Sequence, residues 1–145
     1  MLEIVRFQES DIDTVYEIQR TAYKPLYEKY RDDDLNPYME SKETVLQKYT
    51  RPGTVGYLFF LQKMPVGTVR VTLYPHSKSG KISALGVHPQ YQGQGIAQQA
   101  LLKIEEIHAD VERWFLDTIL PLCESGQRLG TRKNIDLWKK KFREV

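Results

Sequence analysis

A short run of glycines and glutamines, Gln92-Gly93-Gln94-Gly95-Ile96-Ala97, stands between a predicted strand and a predicted helix. Glycine lets backbone N–H groups turn toward a bound group, and the dipole of a following helix adds positive potential. A loop of this kind can hold a phosphate or a pyrophosphate. Two glycines before a helix also occur in plain tight turns, so the run alone leaves both interpretations open.

Two common phosphate-binding motifs do not fit this loop. A dinucleotide-binding fingerprint needs a third glycine, where the sequence has Gln98, and it needs a strand-helix-strand unit around it. A P-loop needs Gly-x-x-x-x-Gly-Lys-Ser/Thr, a pattern that the chain does not contain. The sequence therefore argues against a Rossmann site and a P-loop.

The hydrophobic pattern predicts the elements that position the loop. Strands are indicated in residues 2–7, 55–61, 66–74, 81–87 and 114–120. Helical spacing of apolar residues indicates a first helix that starts at Ser10 as N-cap and runs to about residue 23, and further helices in residues 41–49 and 95–108. A last helix is predicted from about Asn134, so the order is β-α-α-β-β-β-α-β-α.

The strand before the loop has an irregular pattern. Its apolar residues at positions 82 and 84 are followed by apolar residues at 85 and 87, so the two-residue alternation slips by one. A slip of this kind beside Gly86 is typical of a β-bulge. We therefore predict a bulge directly before the glycine loop.

Residues 85–97, Leu85-Gly86-Val87-His88-Pro89-Gln90-Tyr91-Gln92-Gly93-Gln94-Gly95-Ile96-Ala97, resemble the acyl-CoA motif of the GNAT superfamily of N-acetyltransferases. Gln92, Gly95 and Ala97 match its Arg/Gln-x-x-Gly-x-Gly/Ala core, and the element order is similar over residues 1 to about 119. The resemblance implies one α+β domain over residues 1–145, a mixed α/β sandwich. Its central, mostly antiparallel sheet would have a bulged, splayed strand and flanking helices.

The resemblance also implies a site for acetyl-CoA as co-substrate. The backbone of Leu85 and Val87 would pair with the pantetheine arm as a neighbouring strand would, and the amides of residues 93–98 would hold the pyrophosphate. Leu85 and Val87 are equally well explained as core residues. The residues expected to contact the cofactor are Leu85, Val87, Gln92, Gly93, Gln94, Gly95, Ile96, Ala97, Gln98 and Asn134.

The C-terminal part departs from the family pattern, in which Asn-x-x-Leu-Tyr-x-Lys-x-Gly-Phe precedes two closing strands. The run from Asn134 to Phe142 resembles it imperfectly, with Trp138 in place of the tyrosine that commonly protonates the departing thiolate. An indole N–H cannot do this at neutral pH. The closing strands are missing or altered, so a second subunit is expected to cover the apolar strand at residues 114–120, giving a homodimer.

The sequence identifies no clear general base. Asp117, in a predicted strand, and Glu40, at the end of a segment rich in tyrosine and acid, are the two candidates, and each is equally well explained as a non-catalytic carboxylate. The resemblance implies that the acidic segment, residues 23–40, lines the acceptor pocket, where it would suit a cationic amine. A solvated loop with tyrosines packed on the core explains the segment equally well. No metal site is predicted, because the histidines have no ligand-spaced partners.

Composition sets the outer limits on location and partners. The single cysteine, the missing signal-peptide core and the missing apolar run of about 20 residues predict a cytoplasmic protein with no membrane contact. Residues 128–145 carry seven basic and two acidic side chains, a pattern that a solvated helix explains better than a nucleic-acid site.

Together these features predict an N-acetyltransferase that moves an acetyl group from acetyl-CoA directly to an amine in a ternary complex. The amine would belong to a small molecule or a peptide. The alternative from a different class is a non-catalytic acyl-CoA-binding or interaction module with a degenerate C-terminus.

Overall fold

A six-stranded sheet with helices on both faces is formed by residues 2–30, 37–117 and 133–134, which the computed structural model describes. The strands are β1 Leu2–Arg6, β2 Thr54–Leu61, β3 Met64–Tyr74, β4 Ser79–Val87, β5 Arg113–Asp117 and β6 Lys133–Asn134. The helices are α1 Ile12–Tyr30, α2 Lys42–Tyr49 and α3 Ile96–Ile107, and short 3-10 turns lie at Glu9–Asp11, Pro37–Met39, Pro75–Ser77 and Pro89–Tyr91.

The strands lie in the sheet in their order along the chain. All neighbouring strands are antiparallel except β4 and β5, which run parallel because α3 forms the crossover between them. The β2–β3 hairpin turns on Gln62 and Lys63, both with positive φ, as a two-residue hairpin loop requires. The predicted α+β fold with a mostly antiparallel sheet is confirmed.

Apolar side chains fill the space on both faces of the sheet. The larger cluster joins α3 to the strands and includes Phe59, Val69, Ile82, Ala100 and Ile104. The smaller cluster joins α1 and α2 to β2 and consists of Val15, Val45, Tyr49 and Leu58. No helix in the described residues is long and apolar enough to cross a bilayer.

Helix α1 differs from its prediction at both ends. Its start is preceded by the 3-10 turn, and Gln8 rather than Ser10 is the capping residue, with its N–H donating to the Asp11 carboxylate over 2.9 Å. The helix also continues through Pro25 to residue 30. Beyond Pro25 the Tyr27 ring packs against the Tyr38 ring, with 5.1 Å between their centroids, and tertiary packing of this kind can outweigh the cost of an interior proline.

The predicted helix from about Asn134 is wrong at its first residue. Lys133–Asn134 form β6 and pair with Leu116 and Phe115 of β5. A second subunit was expected because the C-terminal residues were predicted to be helical and so unable to pair with β5. The pairing of β6 with β5 removes this reason. Residues 118–120, the rest of the predicted strand, lie outside the described residues, as do Cys123 and Trp138.

Candidate functional site

The predicted bulge is present in β4. The register between β3 and β4 shifts between Thr68 and Arg70, so Ala84 and Leu85 lie opposite a single residue of β3. Ala84 has φ of +51°, a left-handed conformation that is costly for a residue with a Cβ atom. The surrounding structure must therefore hold the bulge in place.

Helix α1 provides that support. The Tyr23 hydroxyl, on a side chain with no exposed surface, donates a hydrogen bond to the Leu85 carbonyl. Gly86 permits the close approach of the helix, since a Cβ at this position would lie 3.1 Å from the Ala22 Cβ and 3.2 Å from the Tyr23 Cε2. The buried Tyr23 hydroxyl and the close approach of α1 that Gly86 permits together hold the bulge in place.

Strand β5 lies beside the first part of β4. Their parallel pairing runs from Ser79 and Arg113 to Ser83 and Asp117, the last residue of β5 that the structure describes. His88 N–H donates to the Val66 carbonyl over 2.7 Å. Because successive N–H groups of a strand alternate in direction, the Val87 N–H points away from β3, toward the side of β4 on which β5 pairs.

The glycine loop, residues 92–95, lies between the end of β4 and the start of α3. Gly93 and Gly95 have φ of +80° and +76°, which L side chains rarely adopt. A Cβ at Gly93 would meet no atom within 4 Å, and one at Gly95 would meet only Gln99 Nε2, at 4.0 Å. The space above the loop is therefore open.

Backbone donors are concentrated at this loop. The first hydrogen bond of α3 runs from Gln99 N–H to the Gly95 carbonyl, at 3.0 Å. The N–H groups of residues 93–98 donate to no backbone carbonyl in the described residues, as expected at a helix start. Free donors, helix dipole and open space together fit a diphosphate group.

Hydrogen bonds fasten the loop to the end of β4. Gln92 Nε2 donates to the Val87 carbonyl over 3.0 Å, and His88 Nδ1 accepts from Gln90 N–H over 3.1 Å. The Gln92 side chain therefore holds the loop against the strand. Since the carbonyls of Leu85 and Val87 already accept from Tyr23 and Gln92, N–H groups are the more available partners for a bound chain at the bulge.

The two candidate bases lie in different surroundings. Glu40 is 14% exposed, and both its oxygens are engaged, Oε1 by Gln19 Nε2 at 3.0 Å and Oε2 by the Lys48 ammonium. It therefore links α1 to α2. Asp117 is described by its backbone only, opposite Ser83, and Asn134 by its pairing with Phe115.

A polar cluster that the sequence did not predict lies between the sheet and helices α1 and α2. It consists of Gln19, Glu40, Lys48, Tyr49, Thr68 and Arg70. Burial raises the pKa of the Tyr49 hydroxyl to about 12, and the neighbouring Thr68 and Arg70 oppose this. In sequence these residues are scattered over 52 positions, and only Arg70, a charge within the apolar run of β3, gives a local signal.

In the part of the chain that the structure describes, no three His, Cys, Asp or Glu side chains lie close enough together to hold a metal ion.

Solved structures with the same fold include several acetyltransferases. The PaiA N-acetyltransferase of Thermoplasma acidophilum, in complex with coenzyme A, has a TM-score of 0.66 and 19% identity over 80% of this chain and 78% of its own. The ribosomal-protein-S18-alanine N-acetyltransferase of Escherichia coli has a TM-score of 0.63 and 14% identity over 80% and 66%.

An aminoglycoside acetyltransferase from an uncultured soil metagenomic sample, in complex with sisomicin, has a TM-score of 0.63 and 15% identity over 99% of this chain and 85% of its own. No curated protein matches the sequence. The family model described as "Acetyltransferase (GNAT) family" matches residues 12–123. That match spans the bulge, the glycine loop and α3, and it shows that the chain belongs to the GNAT family of acetyltransferases.

Proposed function

We propose that this protein transfers an acetyl group from acetyl-CoA to an amine by direct attack within a ternary complex. The pyrophosphate would lie at the N–H groups of residues 93–98, and the pantetheine arm would lie along the backbone of Leu85 and Val87 at the bulge. The single observation that carries this proposal is the glycine loop, where backbone donors face open space beside the bulge.

The chemistry asked of these residues is mainly binding and orientation. The N–H groups of the loop neutralise diphosphate charge, and the Val87 N–H offers a strand-like partner for an amide of the pantetheine arm. A backbone donor at the bulge would also polarise the acetyl carbonyl. The amine nitrogen then forms a bond to the carbonyl carbon, the carbon–sulfur bond breaks, and the amine proton leaves while the thiolate is protonated.

The comparisons support this proposal at the level of the family. The similar structures include a coenzyme A complex and N-acetyltransferases, one of them acting on an alanine of a ribosomal protein. Their low identity makes the fold the shared property. An amine acceptor for this chain is therefore our inference from the family and the loop.

The test is to mix the purified chain with acetyl-CoA and a panel of amines, following thiol release and detecting the product by mass spectrometry. We expect acetylated amine and thiol in equal amounts. Binding of acetyl-CoA without acetylation of any amine would favour the non-catalytic acyl-CoA-binding module. Absence of acetyl-CoA binding would overturn the proposed site itself.

A further inference from the structure

Arg70 lies in the middle of β3, on the face of the sheet that α1 and α2 cover. Its strand neighbour is Gly56, and a Cβ at Gly56 would lie 2.3 Å from Cδ2 of the Tyr49 ring. Directly opposed residues of neighbouring strands share a face, so the Arg70 side chain lies beside Tyr49. Arg70 is partly exposed, yet its Nη1 is buried and donates to no group in the described residues.

Glu40, the acidic residue of the polar cluster, does not balance the charge of Arg70. Glu40 already pairs with the Lys48 ammonium and accepts from Gln19. Arg70 forms no ion pair with any residue that the structure describes. The cluster therefore holds one positive charge in excess, and a partly buried charge without a partner is unfavourable.

Two hydroxyl groups beside Arg70 are also unsatisfied. Tyr49 Oη and Thr68 Oγ1 are buried and have no hydrogen-bond partner within ordinary geometric limits, although Thr68 lies close enough to oppose the rise in the Tyr49 pKa. The raised pKa of Tyr49 keeps its hydroxyl protonated. A guanidinium and two hydroxyls that can all donate are suited to bind the two oxygens of a carboxylate.

The position of these donors relates them to the proposed reaction. Arg70 pairs with Ser83, the residue before the bulge, and Thr68 pairs with Gly86, the residue after it. The donors thus lie beside the bulge on the face opposite α3. Two residues along a strand span about 7 Å, which is comparable to the distance between the amine and the carboxylate of a long ω-amino acid in its extended form and much longer than that of an α-amino acid.

We propose that the amine acceptor carries a carboxylate, and that Arg70, with Thr68 and Tyr49, binds it. The inference rests on the proposed acetyl transfer and narrows its acceptor to an ω-amino acid or a similar molecule whose amine and carboxylate lie several bonds apart. A rival explanation lies within the chain, because Asp117 occupies the same cross-strand row as Arg70 and Ser83. A protein carboxylate would then neutralise Arg70 and leave no site for a ligand.

The experiment compares amines that differ only in an acidic group, such as ω-amino acids of increasing length and their carboxamides. We expect the wild-type protein to acetylate the best acid with a kcat/KM about tenfold to a hundredfold above that of its amide. Arg70→Gln should remove this preference by raising the KM for the acid, with the Kd for CoA unchanged. Arg51→Gln, on an exposed turn, is the matched control and should keep the preference.

Several results would overturn the carboxylate site. Equal turnover of acids and amides would do so, as would an Arg70→Gln variant with an intact preference. Arg70 would belong to an internal ion pair with Asp117 if two results were found together. Arg70→Gln and Asp117→Asn would both lower folding stability, and the wild-type protein would show no preference for acids over amides.

A binding measurement separates this inference from the proposed transfer. In the presence of CoA, each ω-amino acid should shift the backbone N–H signals of Thr68 and Arg70 in NMR spectra more than the corresponding carboxamide does. This difference should be seen even if no turnover occurs. Equal shifts would contradict the carboxylate site, whereas absence of turnover with every amine would contradict the proposed function.

Discussion

The two faces of the sheet near the bulge present different kinds of polar groups, backbone N–H groups on one face and side chains on the other. On one side the glycine loop and the start of α3 present backbone N–H groups over residues that lie next to each other in sequence. On the other side the polar cluster presents side chains from α1, α2, β3 and the segment between the helices. A backbone site depends on a local run of glycines, whereas a side-chain site depends on the whole fold.

This difference suggests that the protein recognises its two proposed substrates, acetyl-CoA and the amine acceptor, in different ways. Backbone donors in a fixed loop cannot be exchanged by single substitutions, which suits a ligand that never changes. Side chains can be exchanged one at a time, which suits an acceptor that differs between related enzymes. If the two sites are independent, substitutions on one face should leave the function of the other unchanged.

Gly95→Val should weaken CoA binding most. A β-branched residue at φ of +76° costs about 1 to 3 kcal/mol of backbone strain, and its side chain would occupy the open space over the loop. We expect the Kd for CoA in calorimetry to rise at least about tenfold. Gly53→Val is the matched control, because Gly53 has φ of +81° on a distant turn; an equal loss there would show that strain alone is responsible.

Glu40→Gln should lower stability and leave acetyl transfer in place. The variant keeps an oxygen for Gln19 but removes the charge that pairs with Lys48. We expect a loss of about 1 to 2 kcal/mol in the free energy of unfolding, measured with urea. A kcat reduced to background in a folded Glu40→Gln protein would instead identify Glu40 as the general base.

Tyr23→Phe should have a smaller effect that is specific to the bulge. It removes the hydroxyl that donates to the Leu85 carbonyl, so we expect a loss of about 1 kcal/mol in unfolding free energy and a higher KM for acetyl-CoA. Tyr49→Phe removes a buried hydroxyl that forms no hydrogen bond and should cost less. If both variants behave alike, the Tyr23 hydroxyl does not hold the bulge.

The smallest predicted effect is a pH dependence at the far end of α3. Burial lowers the pKa of His108, whose Nε2 lies 2.7 Å from the Tyr57 hydroxyl. The unfolded chain therefore takes up a proton before the folded one, and stability is lost as pH falls below about 6.5 through the folded pKa. The effect should be modest, because the side chain is partly exposed.

Urea unfolding at about pH 7.5 and about pH 5.5 would measure this effect. His108→Gln should show a smaller loss between the two pH values than the wild type does. Affinity for CoA should not differ between the two proteins at either pH. Identical pH dependence of stability in both would remove His108 as the cause.

The sequence was sufficient to predict those features that depend on neighbouring residues. The bulge follows from the slip in alternation at residues 84 and 85, and the loop follows from Gly93 and Gly95. The true extent of α1 could not be predicted, because Pro25 is a local signal for a helix end, whereas the contact of Tyr27 with Tyr38 joins two separate elements of the fold. The polar cluster joins residues up to 51 positions apart, so no spacing rule indicates it.

The most direct test of the account is a titration of isotope-labelled protein with CoA, followed by amide NMR signals. The account predicts that the largest shifts occur at residues 93–98 and at Leu85 and Val87, with smaller shifts at the polar cluster. Shifts confined to other parts of the chain, or none at saturating CoA, would contradict the claim that the glycine loop and the bulge together bind the acyl donor.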